Sequence, residues 1–110
     1  MPTPSAFLRG FGLTRGTSIG GYTLTSVHST HEEIERYREY YYAFTLTFIA
    51  HEEANRRNLV REITSITSQT HIVNSQYGNP YECVIDEPSR NDFEGTKKVT
   101  VYLDGHSYRI

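Results

Sequence analysis

Two copies of the tripeptide His-Glu-Glu, at His31 to Glu33 and at His51 to Glu53, are the residues of this 110-residue chain whose spacing comes nearest to metal or acid–base chemistry. A zinc hydrolase needs His-Glu-x-x-His, which sets two imidazoles one helical turn apart beside a general-base glutamate. The residue four after His31 is Glu35, and the residue four after His51 is Asn55, so neither copy supplies the second imidazole. Both triplets fit a helix start instead, where carboxylates face the positive end of the helix dipole and gain about 0.3–1 kcal/mol. No metal ligands and no cofactor are assigned.

Cys83 would be a nucleophile only with His28, His31, His51, His71 or His106 within hydrogen-bond reach. Its setting, Tyr81 to Asp86, alternates like a strand, which favours a small buried side chain. No Gly-x-Ser-x-Gly elbow occurs. No catalytic residue is assigned, and the expectation is a noncatalytic protein. Gly10, Gly12 and Gly16 suggest a phosphate loop, but no lysine follows, and no strand or helix flanks them to present amides to a phosphate. Arg9-Gly10-Phe11-Gly12 resembles the opening of an RNA-recognition ribonucleoprotein motif, and the continuation Leu13, Thr14, Arg15, Gly16 departs from it. Arg9, Phe11 and Arg15 still offer charge and stacking to a single nucleic-acid strand, a minority alternative.

The elements that would position these groups follow from periodicity. Residues 1–21 hold Pro2, Pro4 and five glycines and predict an irregular arm, through which Phe7, Leu8, Phe11, Leu13 and Ile19 are spaced. Tyr22 to His28 alternates as a strand. Thr30 with Glu33 forms a capping box, and Ile34, Tyr37 and Tyr41 follow as the apolar stripe of a short helix. Between Ala43 and Ala50 the period changes to two, with Phe44, Leu46 and Phe48 on one face. A second helix is predicted from His51 to Thr67, its stripe being Leu59, Val60, Ile63 and Ile66. His71 to Tyr77 and Tyr81 to Asp86 form a hairpin. Val99 to Leu103 and His106 to Ile110 form another around Asp104-Gly105, a pair suited to a type I′ turn. A polar loop, Ser89 to Thr96, lies between the hairpins.

The predicted class is α+β, a two-layer sandwich with a mainly antiparallel sheet and two helices on one face, in the order β-α-β-α-β-β-β-β. A ferredoxin-like core plus a C-terminal hairpin is one version. The irregular N-terminal arm (1–21) precedes a single α+β domain (22–110). Fourteen aromatic side chains, nine Tyr and five Phe, offset a hydrophobic fraction of only 36% in supplying one core.

Net charge is −2 and pI about 6.2, so no global field draws the chain to nucleic acid or to an anionic membrane. Residues 1–30 nevertheless carry Arg9 and Arg15 and no acid. One cysteine excludes an internal disulfide, and no apolar membrane span or signal-peptide core is seen, so the expectation is a cytoplasmic protein or one incorporated in an intracellularly assembled particle. Arg36, Arg38 and the tyrosines beside them are residue types that dominate interfaces. The sequence reading is thus a protein–protein interaction or assembly subunit, of a multi-subunit or viral particle. It contacts a protein partner or further copies of itself through Phe7, Arg9, Phe11 and Arg15 of the arm, Tyr40 and Tyr42, and Arg90 and Phe93 of the loop. The alternative is a small-molecule-binding protein or enzyme with a pocket lined by Tyr and His.

Overall fold

The computed structural model describes residues 2–34, 39–52, 54–74, 77–86, 88, 90–94 and 97–110, with backbone alone at 31–34 and 90–94. Its elements are α1 (Pro4–Gly10), β1 (Ser18–Ile19), β2 (Tyr22–Ile34), β3 (Glu39–Ala50), α2 (Arg56–Ile66), β4 (Thr70–Asn74), β5 (Pro80–Ile85), β6 (Arg90–Glu94) and β7 (Lys98–Arg109). A period of two builds the centre. Tyr42, Phe44, Leu46 and Phe48 of β3 are buried, with exposed or half-buried residues between them, and Val99, Val101, Leu103, Gly105 and Ser107 of β7 repeat the pattern except at Thr100, which is buried as well. The sheet runs β1-β2-β3-β7-β5-β4, antiparallel throughout. On the edge of β7 away from β3, β5 pairs with Gly105–Arg109 and β6 with Lys98–Tyr102.

The sheet curls into a half-barrel. One core cluster joins its buried face to both helices, through Phe7 and Leu8 of α1 and Leu59, Ile63 and Ile66 of α2. The α+β class and the antiparallel sheet are as predicted, as are the β4–β5 hairpin and the shared burial of Phe48 and Ile63. The order of elements differs: it is α-β-β-β-α-β-β-β-β, and a curled half-barrel stands where a two-layer sandwich was expected.

Where the Thr30 capping box predicts a helix, β2 and β3 form one long antiparallel pair, with Ile34 opposite Glu39. Glu35, Arg36, Tyr37 and Arg38 lie outside the described residues. A capping box stabilises a helix end by about 1 kcal/mol, whereas in β3 the Tyr-rich run is paired on both edges, by β2 and by β7. The strand period reverses the tyrosines: Tyr41 is 40% exposed and Tyr42 2%. Neither His-Glu-Glu copy begins a helix. His31 is in β2, and α2 starts only at Arg56, capped by Asn55, whose Oδ1 accepts from the Asn58 amide at 3.2 Å. Of the predicted α2 stripe, Val60 is exposed at 37%.

Asp104-Gly105 makes no turn, because β7 continues through it with partners on both edges, Ala43 and Tyr42 in β3 and Ile85 opposite Gly105 in β5. Within the predicted loop, Arg90–Glu94 forms β6. Between β1 and β2 the chain reverses at Gly20, whose φ of 59° sits where a Cβ would lie 2.8 Å from the Leu59 amide nitrogen. That close approach seats α2 on the turn, and the Gly20 carbonyl accepts from the Asn55 amide.

Candidate functional site

The segment expected to be an irregular arm opens as a helix. Thr3 Oγ1 accepts from the Ala6 amide at 3.2 Å, and Pro4 occupies a first-turn position that has no helical acceptor for an N–H. The helix presents Phe7 to the sheet, with ring centroids 4.6 Å from Tyr42 and 5.3 Å from Phe44. Phe7, Leu8, Phe11 and Leu13 are all buried. Phe7 and Phe11 are therefore core residues and present no ring to a partner or to a stacked base. Tyr42 is core as well, its hydroxyl donating to the Pro2 carbonyl at 2.9 Å and lying 3.2 Å from Ser107 Oγ. Tyr40 is half-buried, edge-on to Tyr81. Arg90 and Phe93 stand on β6, with their side chains outside the described residues. Arg9 and Arg15 are exposed.

His71 lies directly opposite Cys83 in the β4–β5 ladder, a pairing that resembles a nucleophile with its base. The chemistry does not follow. Burial, reinforced by the Glu82 carboxylate, pushes the Cys83 thiol up to about 12, and the His71 ring packs edge-on against Phe11 at 4.5 Å. Burial likewise pushes the Tyr42 phenol up to about 12, against the opposing effect of its Ser107 hydrogen bond. Both groups hold their protons more tightly folded than unfolded, where their ordinary values are 10.0 and 9.0. Their contribution to stability is complete below about pH 9 and is lost as pH rises toward 12. Urea midpoints measured from pH 8 to 11 should fall, and the fall should be shallower in the Tyr42→Phe/Cys83→Ala variant.

Arg9 and Arg15 line one groove of about 350 Å³ between the first fifteen residues and β2. Leu8 and Leu13 form its buried floor, Ser5, Arg9 and Thr14 stand along one wall, and Val27 and Ser29 of β2 form the other. Ser5, Leu8 and Arg9 share a helix face by their spacing, and Val27 and Ser29 share a strand face by theirs. Among the described residues, neither arginine has a carboxylate partner.

Along this groove runs the unpaired edge of β2. That strand is bonded to β3 over its length, but on its other edge β1 reaches only Tyr22 and Thr23, and Leu24 exchanges backbone bonds with Gly16 and Thr17. From Thr25 to Ile34, among the described residues, no strand or loop backbone bonds to that edge. A bulge at Thr25 marks where the pairing ends.

No protein-family model, curated protein or solved structure matches the chain.

Among the described residues no helix is long and apolar enough to cross a membrane, and no three His, Cys, Asp or Glu side chains are grouped to hold a metal ion. His51 lies against Thr23, ring Nε2 to Oγ1, beside Glu52 and Lys97 at an open polar cleft. On the outer face of the sheet Tyr41, His106 and Tyr108 stand side by side, with centroids 6.2 Å apart. Their polar atoms are engaged at home: Tyr41 donates to Glu39 at 3.2 Å, Tyr108 feels the Glu82 carboxylate, and His106 Nδ1 is 3.6 Å from Asp86. The neighbouring carboxylates, Glu39 and Glu82, raise both phenols above their ordinary value. The β2 edge, in contrast, offers polar groups that nothing in the described chain uses. No periodicity could announce it, because which edge of a strand stays open is a property of topology.

Proposed function

We propose that the protein is a noncatalytic interaction or assembly subunit whose partner docks as an added strand on the free edge of β2. The observation that carries this reading is the ten-residue edge from Thr25 to Ile34 without a backbone partner among the described residues. Such an edge presents a row of N–H and C=O groups that template another strand, and proteins that do not use one blunt it with charged side chains, Lys above all, with Pro, a bulge, shortness or a covering element. The other edges of this sheet are so managed. β4 has five residues and α1 leans on it, with Phe11 against His71 and Gly10 beside Val73, and β6 also has only five. Residues 25–34 contain neither Lys nor Pro; the bulge, at Thr25, stands at the start of the free stretch and the acids, Glu32 and Glu33, near its end, so Ser26 to His31 carry none of these devices. A catalytic reading has less support, since the buried Cys83 is held as a thiol, His28 is exposed, and His51 is bonded to Thr23 at an open cleft.

Selection from a displayed library of random twelve-residue peptides, followed by amide hydrogen exchange on the complex, tests the reading. Alternate amides between Thr25 and Ile34, those not bonded to β3, should exchange fast in the free protein and become protected on binding. Protection confined to any other element, or a selection that enriches no peptide, would overturn it.

A further inference from the structure

From the groove beside the edge we infer the chemistry of the docked strand: it is acidic, with an apolar side chain flanked by carboxylates on the same face. This inference rests on the strand-addition reading and adds an independent observation, the pairing of a mainly apolar cavity with two guanidinium groups that have no carboxylate partner among the described residues. Side chains of an added strand point alternately to the two faces of the sheet. Those on the face of Val27 and Ser29 enter the groove. Its floor of Leu8 and Leu13 with Val27 at the wall is apolar, so the residue over it gains by burying hydrocarbon. Its volume of about 350 Å³ falls at the lower end of ligand cavities, room for one or two side chains and not for a folded element.

Same-face neighbours on a strand stand about 6.6 Å to either side of the anchor. The groove along which they run is lined by Arg9 and Arg15, whose long side chains give the guanidinium groups their reach. Residues 1–30 contain no Asp or Glu, so no acid of this segment competes for either guanidinium. Guanidinium groups bind carboxylates through paired hydrogen bonds, and those bonds set register as well as sign. The pattern read out is acid-x-apolar-x-acid. A single nucleic-acid strand has the charge but brings no apolar anchor, and the rings that would stack its bases, Phe7 and Phe11, are buried.

Three ten-residue peptides discriminate, each extended and rich in Thr, bearing Glu-Thr-Leu-Thr-Glu, Lys-Thr-Leu-Thr-Lys or Glu-Thr-Ser-Thr-Glu at the centre. Calorimetry at 50 mM salt should rank the first tightest, about tenfold over each of the others, consistent with two exposed charge pairs or one buried apolar side chain. In Arg9→Glu/Arg15→Glu the order of the first two should invert. Both arginines are exposed, so that variant keeps the fold, which circular dichroism checks. Equal affinity of all three peptides, with protection of the β2 amides, would refute the acidic pattern and leave strand addition standing. Binding of the first peptide with no protection of those amides would refute strand addition, and the present inference with it. Tighter binding of a ten-nucleotide oligothymidylate than of any peptide, or concentration-dependent dimerisation of the free chain through β2, would replace the occupant and overturn the proposal.

Discussion

Deletion of residues 2–20 is expected to abolish the cooperative unfolding transition. Taken as an irregular arm, this segment would be dispensable for folding, but Phe7, Leu8, Phe11 and Leu13 are all part of the one core cluster. Full burial of each such side chain is worth about 1.5–3 kcal/mol, so the four sum to roughly the whole net stability of a small domain. The deletion would also free the Tyr42 hydroxyl from the Pro2 carbonyl, deep beside Ser107. Phe7→Ala is the graded form of the same test. At 0% exposure, among three aromatic rings, its loss should cost about 3–5 kcal/mol. Urea unfolding followed by circular dichroism gives both results. A deletion variant that still unfolds in one sharp transition would mean that α1 sits on a body complete without it.

The same residues show what the sequence made legible. Phe44, Leu46 and Phe48 could be placed because one strand face pointing to the core is a short-range pattern. Continuing that period back two residues from Phe44 puts Tyr42 inside, and the Thr30 capping box obscured this by proposing a helix over the same stretch. A cap is local, whereas one of the two ladders that hold β3 comes from β7, from 49 residues further on (Ile49 with Lys98) to 69 (Glu39 with Tyr108). The site divides in the same way. Arg9 and Arg15 stood out as cations in a segment without acids, and the aromatic residues beside them, Phe7 and Phe11, belonged to the core. Their groove became visible only when Val27 and Ser29 supplied its far wall.

Gly105→Val is expected to cost about 3 kcal/mol, the upper end of the range for overpacking a core. In a turn at Asp104-Gly105, glycine would be needed for its backbone freedom, and alanine or valine would be refused through φ. In β7 it is needed because Phe7 occupies the place of a side chain. A Cβ at position 105 would lie 2.7 Å from Phe7 Cζ and 3.0 Å from the Val84 carbonyl oxygen. The ring cannot retreat easily, since it is held between Tyr42 and Phe44. The two explanations separate in a double-mutant cycle. If the ring is the obstacle, Phe7→Leu removes the atoms nearest the new Cβ, and Gly105→Val should then cost less in that background. The coupling should be on the order of 1 kcal/mol or more, as for residues in direct contact. The Val84 carbonyl stays in place, so relief should be incomplete. Strict additivity of the two substitutions in urea unfolding would separate Gly105 from Phe7, and α1 would then be docked in some other way than through the seat that this glycine leaves open in the central strand.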